Sequence, residues 1–210
     1  MDPETIFFKG LLRLQYGQDV VNELKDISKS ISWAKNWPEN DKSFWNAEAF
    51  MWSKKIDKDK KNLIEKELDF LSNGNNLDLG SGAYSYINSV CFDFSEKMLQ
   101  FNDNCTEKVI GNLEKKLFFK DGTFDSITAI FVLNYVRNYL LLLGEIFKII
   151  KNKSYFVMVL SAKGVNEWQS QKEVNFFTRE KWKQILESVG FKVDDYEKKD
   201  LLFFKCLKDF

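Results

Sequence analysis

The chain has 210 residues, 44% of them hydrophobic, and balances 31 basic against 31 acidic side chains, which suits one compact unit with a sizeable core and a capping extension. It has no histidine and three scattered cysteines, which excludes the usual Cys/His zinc constellations and any Ser–His or Cys–His nucleophilic pair. A formal net charge of zero gives no general attraction for nucleic acid or an anionic membrane.

Cys91 and Cys206 sit inside apolar, strand-like runs. All three cysteines are expected to be thiols in a reducing compartment rather than a disulfide or metal site. The start, Met1-Asp-Pro-Glu4, lacks a basic leader before an apolar stretch. The longest apolar run, Tyr139–Leu143, is far below a membrane span. A cytoplasmic protein with no membrane partner and no metal is expected.

Over residues 5–30, Ile6, Phe7, Leu11, Leu14, Val20, Val21, Leu24 and Ile27 recur at helical spacing, with Gly10 and Gly17 weakening an unbroken helix. Residues 31–52 concentrate Trp33, Trp37, Phe44, Trp45, Phe50 and Trp52 around Pro38. Two readings stay open for them: packing of a cap onto the core, or the wall of an apolar pocket that also favours a cation. Residues 53–71 read as a helix with Ile56, Leu63, Ile64, Leu68 and Leu71 inward. Its lysine run, interleaved with acids, is a solvated face. Asn73-Gly74-Asn75 ends it.

Asn76–Leu79 reads as a buried strand, followed by the glycine turn Gly80-Ser81-Gly82 and by Asp93 closing a second short strand, Val90–Asp93. Strand, glycine turn and acid describe a nucleotide-type cofactor site in an α/β fold. A dinucleotide fingerprint would carry a third glycine where Ser85 stands. Asp78, two residues before the first glycine, points to a cationic ligand instead. Asp93 follows Asp78 by only 15 residues, so Ala83–Asn88 has room for about one helical turn. The N-terminal helices are therefore expected to cover the sheet face left bare.

Ser95 caps a short helix with Met98 and Leu99 inward. Val109-Ile110 reads as a third strand, Asp121-Gly122 as a turn, and Phe124–Leu133 as a buried central strand. Leu143, Ile146, Phe147 and Ile150 form a helical stripe. Tyr155–Leu160 is a fifth strand, 162–177 a polar insert expected to wall a substrate pocket. Thr178 to Gly190 is a capped helix, and Phe191–Tyr196 with Leu201–Leu207 a closing strand pair.

Asp78-Leu-Gly80-Ser-Gly82, Asp93-Phe-Ser-Glu-Lys-Met-Leu99, Phe118–Asp125, Phe131–Val136 and Gly144–Lys151 together resemble, in order, the motifs of the class I S-adenosylmethionine-dependent methyltransferases, over roughly residues 70–210. The resemblance implies a Rossmann-like seven-stranded, mostly parallel sheet with a C-terminal antiparallel pair, forming a core at 73–210 under a helical cap at 1–72. It implies S-adenosylmethionine as cofactor, with S-adenosylhomocysteine as product. The cofactor would lie against Asp78, Gly80, Ser81, Gly82, Asp93, Phe94, Met98, Asn112, Leu113 and Ile130. Asp93 would take the ribose hydroxyls and Asn112 the adenine. Asn134 and Tyr135 would face the substrate beside the donor methyl, with Trp33, Trp37 and Trp45 as a lid. The Asn-Pro-Pro-Tyr signature of base-modifying members is absent, which favours a small-molecule acceptor, with a protein side chain or tRNA left open. A cofactor-binding or regulatory protein without turnover is the alternative. A nicotinamide oxidoreductase lacks its third glycine and any Tyr-x-x-x-Lys pattern.

Overall fold

A computed structural model describes residues 2–71, 73–164 and 167–210. Met1, Ser72 at the expected cap boundary, and Val165 and Asn166 of the insert lie outside the described residues. The cap opens with α1 (Pro3–Gln15), begun by Asp2, whose carboxylate accepts from the Thr5 amide, and by Pro3 in the first turn. It continues with α2 (Val21–Ser28), α3 (Asp41–Glu48), α4 (Trp52–Lys55) and α5 (Lys58–Leu68). Gly10 is where α1 and α2 touch: a Cβ there would lie 2.6 Å from Leu24 Cδ2. The single helix expected over 53–71 is two, because Asp57 caps a new helix at the Lys60 amide.

Three strands follow, β1 (Asn76–Leu79), β2 (Ser89–Asp93) and β3 (Cys105–Ile110), with α6 (Glu96–Phe101) between the last two. Then come β4 (Phe124–Ile130), α7 (Tyr139–Ile149), β5 (Ile150–Ser161), α8 (Glu167–Ser170), α9 (Arg179–Val189), β6 (Lys192–Lys198) and β7 (Leu201–Lys208). The seven strands form one sheet in the order β3-β2-β1-β4-β5-β7-β6. The first five pair in parallel, and β7 runs antiparallel to β5 and β6. This is the Rossmann-like arrangement expected. Strand order reverses between β1 and β4, where a crevice opens at the strands' carboxyl ends.

One sheet face packs on α7 and α9 through Leu142, Ile146, Trp182 and Leu186. The other is covered by α4 and α5, with Trp52, Ile64 and Leu68 against Val157, Val159 and Phe203. That cover compensates for a missing helix. Residues 83–88, expected to make a short turn of helix, make none. Their polar groups are held from the loop after α6: the Ser85 amide donates to Asn102 Oδ1 (3.3 Å), and Asn104 Nδ2 donates to the Ser85 carbonyl (2.8 Å). These side chains satisfy backbone groups that a helix would have paired internally.

The cysteine expectation is corrected. Cys91 and Cys105 are disulfide-bonded across β2 and β3, with a Cα–Cα separation of 5.6 Å, and only Cys206 is a buried free thiol. The parallel register sets Cys105 beside Ser89, one pleat repeat from Cys91. Proximity in the sheet, invisible in the spacing of the cysteines, decides the pairing.

Candidate functional site

A cavity of about 460 Å³ lies over the carboxyl ends of β1, β2 and β4, beneath the cap, a size that suits small-molecule ligands. The glycine turn forms its floor. Gly80 (φ +63) and Gly82 (φ +58) are left-handed, and the Gly80 and Ser81 amides donate to the Phe92 carbonyl at 2.8 and 3.3 Å. A Cβ at Gly80 would meet Val132 Cγ2 at 2.3 Å, whereas one at Gly122 (φ +62) would meet nothing within 4 Å. Gly80→Ala is thus expected to cost about 3 kcal/mol of stability, strain plus overpacking, and Gly122→Ala only about 1 kcal/mol. Chemical denaturation of both variants checks this, and equal losses would show that Val132 yields freely.

Asp93 closes β2 beside the turn. Its Oδ2 accepts from the Gly82 amide (3.0 Å) and its Oδ1 from the Ser95 amide (2.8 Å). Burial raises its pKa to about 6 against these stabilising amides. Ser95 caps α6 through the Met98 amide and donates to Asn46 Oδ1 of α3 (2.7 Å). Asn46 in turn donates to the Trp33 carbonyl (3.0 Å), which ties cap to core. Phe94, Met98, Asn112, Leu113 and Ile130 also line the cavity. Asn112 Oδ1 accepts from the Glu114 amide (2.9 Å).

Asp78 stands behind the wall, away from the cavity. Its oxygens accept from Ser85 Oγ (2.6 Å) and Thr128 Oγ1 (2.7 Å), and burial, with Asp93 adding, lifts its pKa to about 6. It braces the turn from beneath rather than facing a cationic ligand. Ser81 is also absent from the lining, and its buried Oγ has no partner among the described residues.

Of the three tryptophans expected as a lid, one reaches the cavity. Trp45 lines it, edge-to-face with Tyr135 (centroids 5.0 Å) and with Trp52 (6.2 Å). Trp37 is buried among Phe7 and Trp168 inside the cap. Trp33 stacks on Phe8 and donates to Glu4 (3.0 Å). Both belong to the cap's own core, because α1 packs across that face. Tyr135 lines the cavity, but Asn134 does not. The Asn134 carbonyl accepts from the Val174 and Asn175 amides at 2.8 and 3.1 Å. Asn175 Nδ2 also donates to Leu133 and Val136 (2.9 and 2.7 Å), so the insert holds the turn that carries Tyr135.

The sequence reading missed Trp52, Phe131, Arg137 and Lys172, all on the lining. Trp52 lay within the aromatic stretch, and a Cβ added at Gly82 would lie 3.1 Å from its Nε1. Phe131 ends β4 at φ +57 with its amide on the Val159 carbonyl (2.8 Å). A left-handed phenylalanine costs about 1–3 kcal/mol and leaves no mark in a sequence. Arg137 and Lys172 are lone surface-type charges brought there by chain path.

A family model described as a methyltransferase domain matches residues 53–196. An uncharacterized protein of Methanocaldococcus jannaschii is 32% identical over 140 residues, 64% of this chain. The match spans 58% of that relative's length. Among solved structures, a candidate S-adenosyl-L-methionine-dependent methyltransferase of Methanococcus maripaludis superposes with a TM-score of 0.63 at 14% identity, over 80% of this chain and 93% of that one. A SAM-dependent methyltransferase of Archaeoglobus fulgidus does so with 0.57 at 15%, over 70% and 93%. At those identities the likeness is one of fold.

Proposed function

We propose that this chain, which belongs to the methyltransferase-domain family and is an enzyme, moves the methyl group of S-adenosylmethionine to a small-molecule acceptor. The observation that carries the reading is Asp93, bonded to the Gly82 amide at the rim of the glycine turn. A buried acceptor and a Cβ-free backbone there suit a nucleoside sugar. The site fits the donor in two further respects: Asn112 and Leu113 flank the far end for a base, and Trp45 and Trp52 offer aromatic surface for a sulfonium.

When bound, the donor supplies a methyl group already activated by the sulfonium charge. The chain's own part is to position the acceptor in line and exclude water, and alignment supplies several kcal/mol. The lining contains no histidine. A proton on the acceptor leaves to a carboxylate or before binding, because burial pushes the Tyr135 hydroxyl well above its ordinary range. The proposal includes action in the cytoplasm, the expectation drawn from the sequence, against which the Cys91–Cys105 disulfide weighs. No described helix is long and apolar enough to cross a membrane.

Calorimetric titration with S-adenosylmethionine, S-adenosylhomocysteine and NADH tests the reading. Saturable micromolar binding of the first two alone is expected, and binding of NADH alone would overturn it. A second reading, donor binding without turnover, is favoured by the non-helical stretch 83–88. Methyl transfer in a screen of acceptors with radiolabelled donor decides between the two.

Donor affinity should also fall as pH drops through about 6, where Asp93 protonates and loses its charge-assisted bonds. In the free protein the sign is opposite. A carboxyl whose folded pKa is raised contributes stability below its ordinary value near 3.8 and loses it as pH rises through about 6. Titrations from pH 5 to 8 with Asp93→Asn as a flat control check the first. A pH-independent affinity would remove Asp93 from the donor site.

A further inference from the structure

The cavity's polar side chains divide unevenly. Its acceptors are engaged: Asp41 with Lys172 (2.8 Å), Glu114 with the Arg137 and Asn138 amides (2.7 and 2.9 Å), and Asp93 with two amides. Two of its three cations are engaged too, Lys172 by Asp41 and Lys42 by Glu96 (2.8 Å). Among the described residues, the wall's donors with no protein partner include the Trp45 and Trp52 indole N–H groups, the Tyr135 hydroxyl and the Arg137 guanidinium, the one charged group among them. Trp52 stands over Gly82, at the donor end. Trp45 lies between Trp52 and Tyr135, edge-to-face with both (6.2 and 5.0 Å), and exposed Arg137 follows Tyr135 by two residues.

Resting on the methyltransferase reading, we propose that the acceptor is a flat molecule carrying a single carboxylate. Its ring sits against Trp45 and Tyr135, and its carboxylate is gripped by Arg137. A planar guanidinium matches a carboxylate through two parallel N–H···O bonds. Aromatic walls meeting at 72° favour a ring, which can lie flat on one and edge-on to the other. One unpaired cation suits one negative charge. A phosphate dianion would call for a second, and Lys42 and Lys172 already hold carboxylates. The nearby carboxylates are already held: Glu48 is ion-paired with Lys55, Glu173 accepts from Ser170 Oγ (3.4 Å), and Glu114 accepts from the Arg137 and Asn138 amides.

The test uses the full chain and four one-ring probes: 4-hydroxybenzoate, 4-hydroxybenzyl alcohol, tyramine and phenyl phosphate. Each is titrated with and without saturating S-adenosylhomocysteine and read by quenching of tryptophan fluorescence. The expected result is binding of 4-hydroxybenzoate at least about tenfold tighter than any other probe. Arg137→Ala should erase that preference and Arg137→Lys restore part of it. Because Arg137 is exposed, both variants should match the parent's denaturation midpoint. Equal or tighter binding of the alcohol or amine overturns the proposal, as does an Arg137→Ala variant that keeps the preference. Tighter phenyl phosphate binding replaces the carboxylate with a phosphate and also overturns it. Failure of every probe while S-adenosylhomocysteine still binds overturns the acceptor assignment and leaves the donor reading standing. Failure of S-adenosylhomocysteine overturns the donor reading, and the carboxylate preference is then judged from the arm without it.

Discussion

Replacing Asp93 with alanine is expected to weaken S-adenosylmethionine binding by about 100-fold or more while leaving the fold in place. A carboxylate accepting from two hydroxyls makes two charge-assisted bonds of about 1.5–3 kcal/mol each, and 1.4 kcal/mol is tenfold in affinity. The same change frees the Gly82 and Ser95 amides, now held at 3.0 and 2.8 Å. The turn therefore loses its anchor as the ligand loses its partner. Asp93→Asn separates the effects, because its one carbonyl oxygen still accepts from an amide but carries no charge. Calorimetry on both variants, with circular dichroism as the fold control, makes the comparison. Wild-type affinity in Asp93→Ala would dismiss the ribose assignment.

Glu48→Ala should destabilise the chain by about 3 kcal/mol, because it strands a buried lysine. Glu48 and Lys55 pair with side chains only 9% and 15% exposed, and Gln169 Nε2 of α8 donates to the same carboxylate at 2.6 Å. The cluster joins α3, α4 and α8. It sits three residues after Trp45 and three after Trp52 on their respective helices, so it sets how both rings face the cavity. At 2–4 °C per kcal/mol for a chain of this size, the melting temperature should fall by roughly 10 °C. Exchanging both members, Glu48→Gln with Lys55→Met, which keeps an acceptor for Gln169, should recover most of the loss. If that double variant regains stability but not donor affinity, the pair's role is to orient the roof. If Glu48→Ala melts with the parent, Lys55 finds solvent and the cluster holds nothing in place.

Much of the core was legible because its signals are local. The buried run at 76–79, the glycines at φ +63 and +58, and the acid at the end of the next strand each follow from what a few neighbouring residues can do. The Thr178-capped helix ending at Gly190 (φ +114) reads the same way. Asp78 and Ser85 show the limit. Their spacing suggested a ligand-facing acid and a helical turn, yet each finds its hydrogen bond in the other, and no local pattern encodes that choice.

By itself, then, the sequence determined the strand–glycine-turn–acid unit, the run of elements that build a seven-stranded sheet, and the absence of histidine chemistry. All of these depend on residue type and short spacing. Tertiary structure alone decided which of the clustered tryptophans faces the cavity, that Cys91 meets Cys105, and that Arg137 and Lys172 reach one wall. Those outcomes rest on how helices cross and on contacts as distant as Glu48 and Gln169, 121 residues apart. Packing geometry between elements, which short-range periodicity does not carry, sets them.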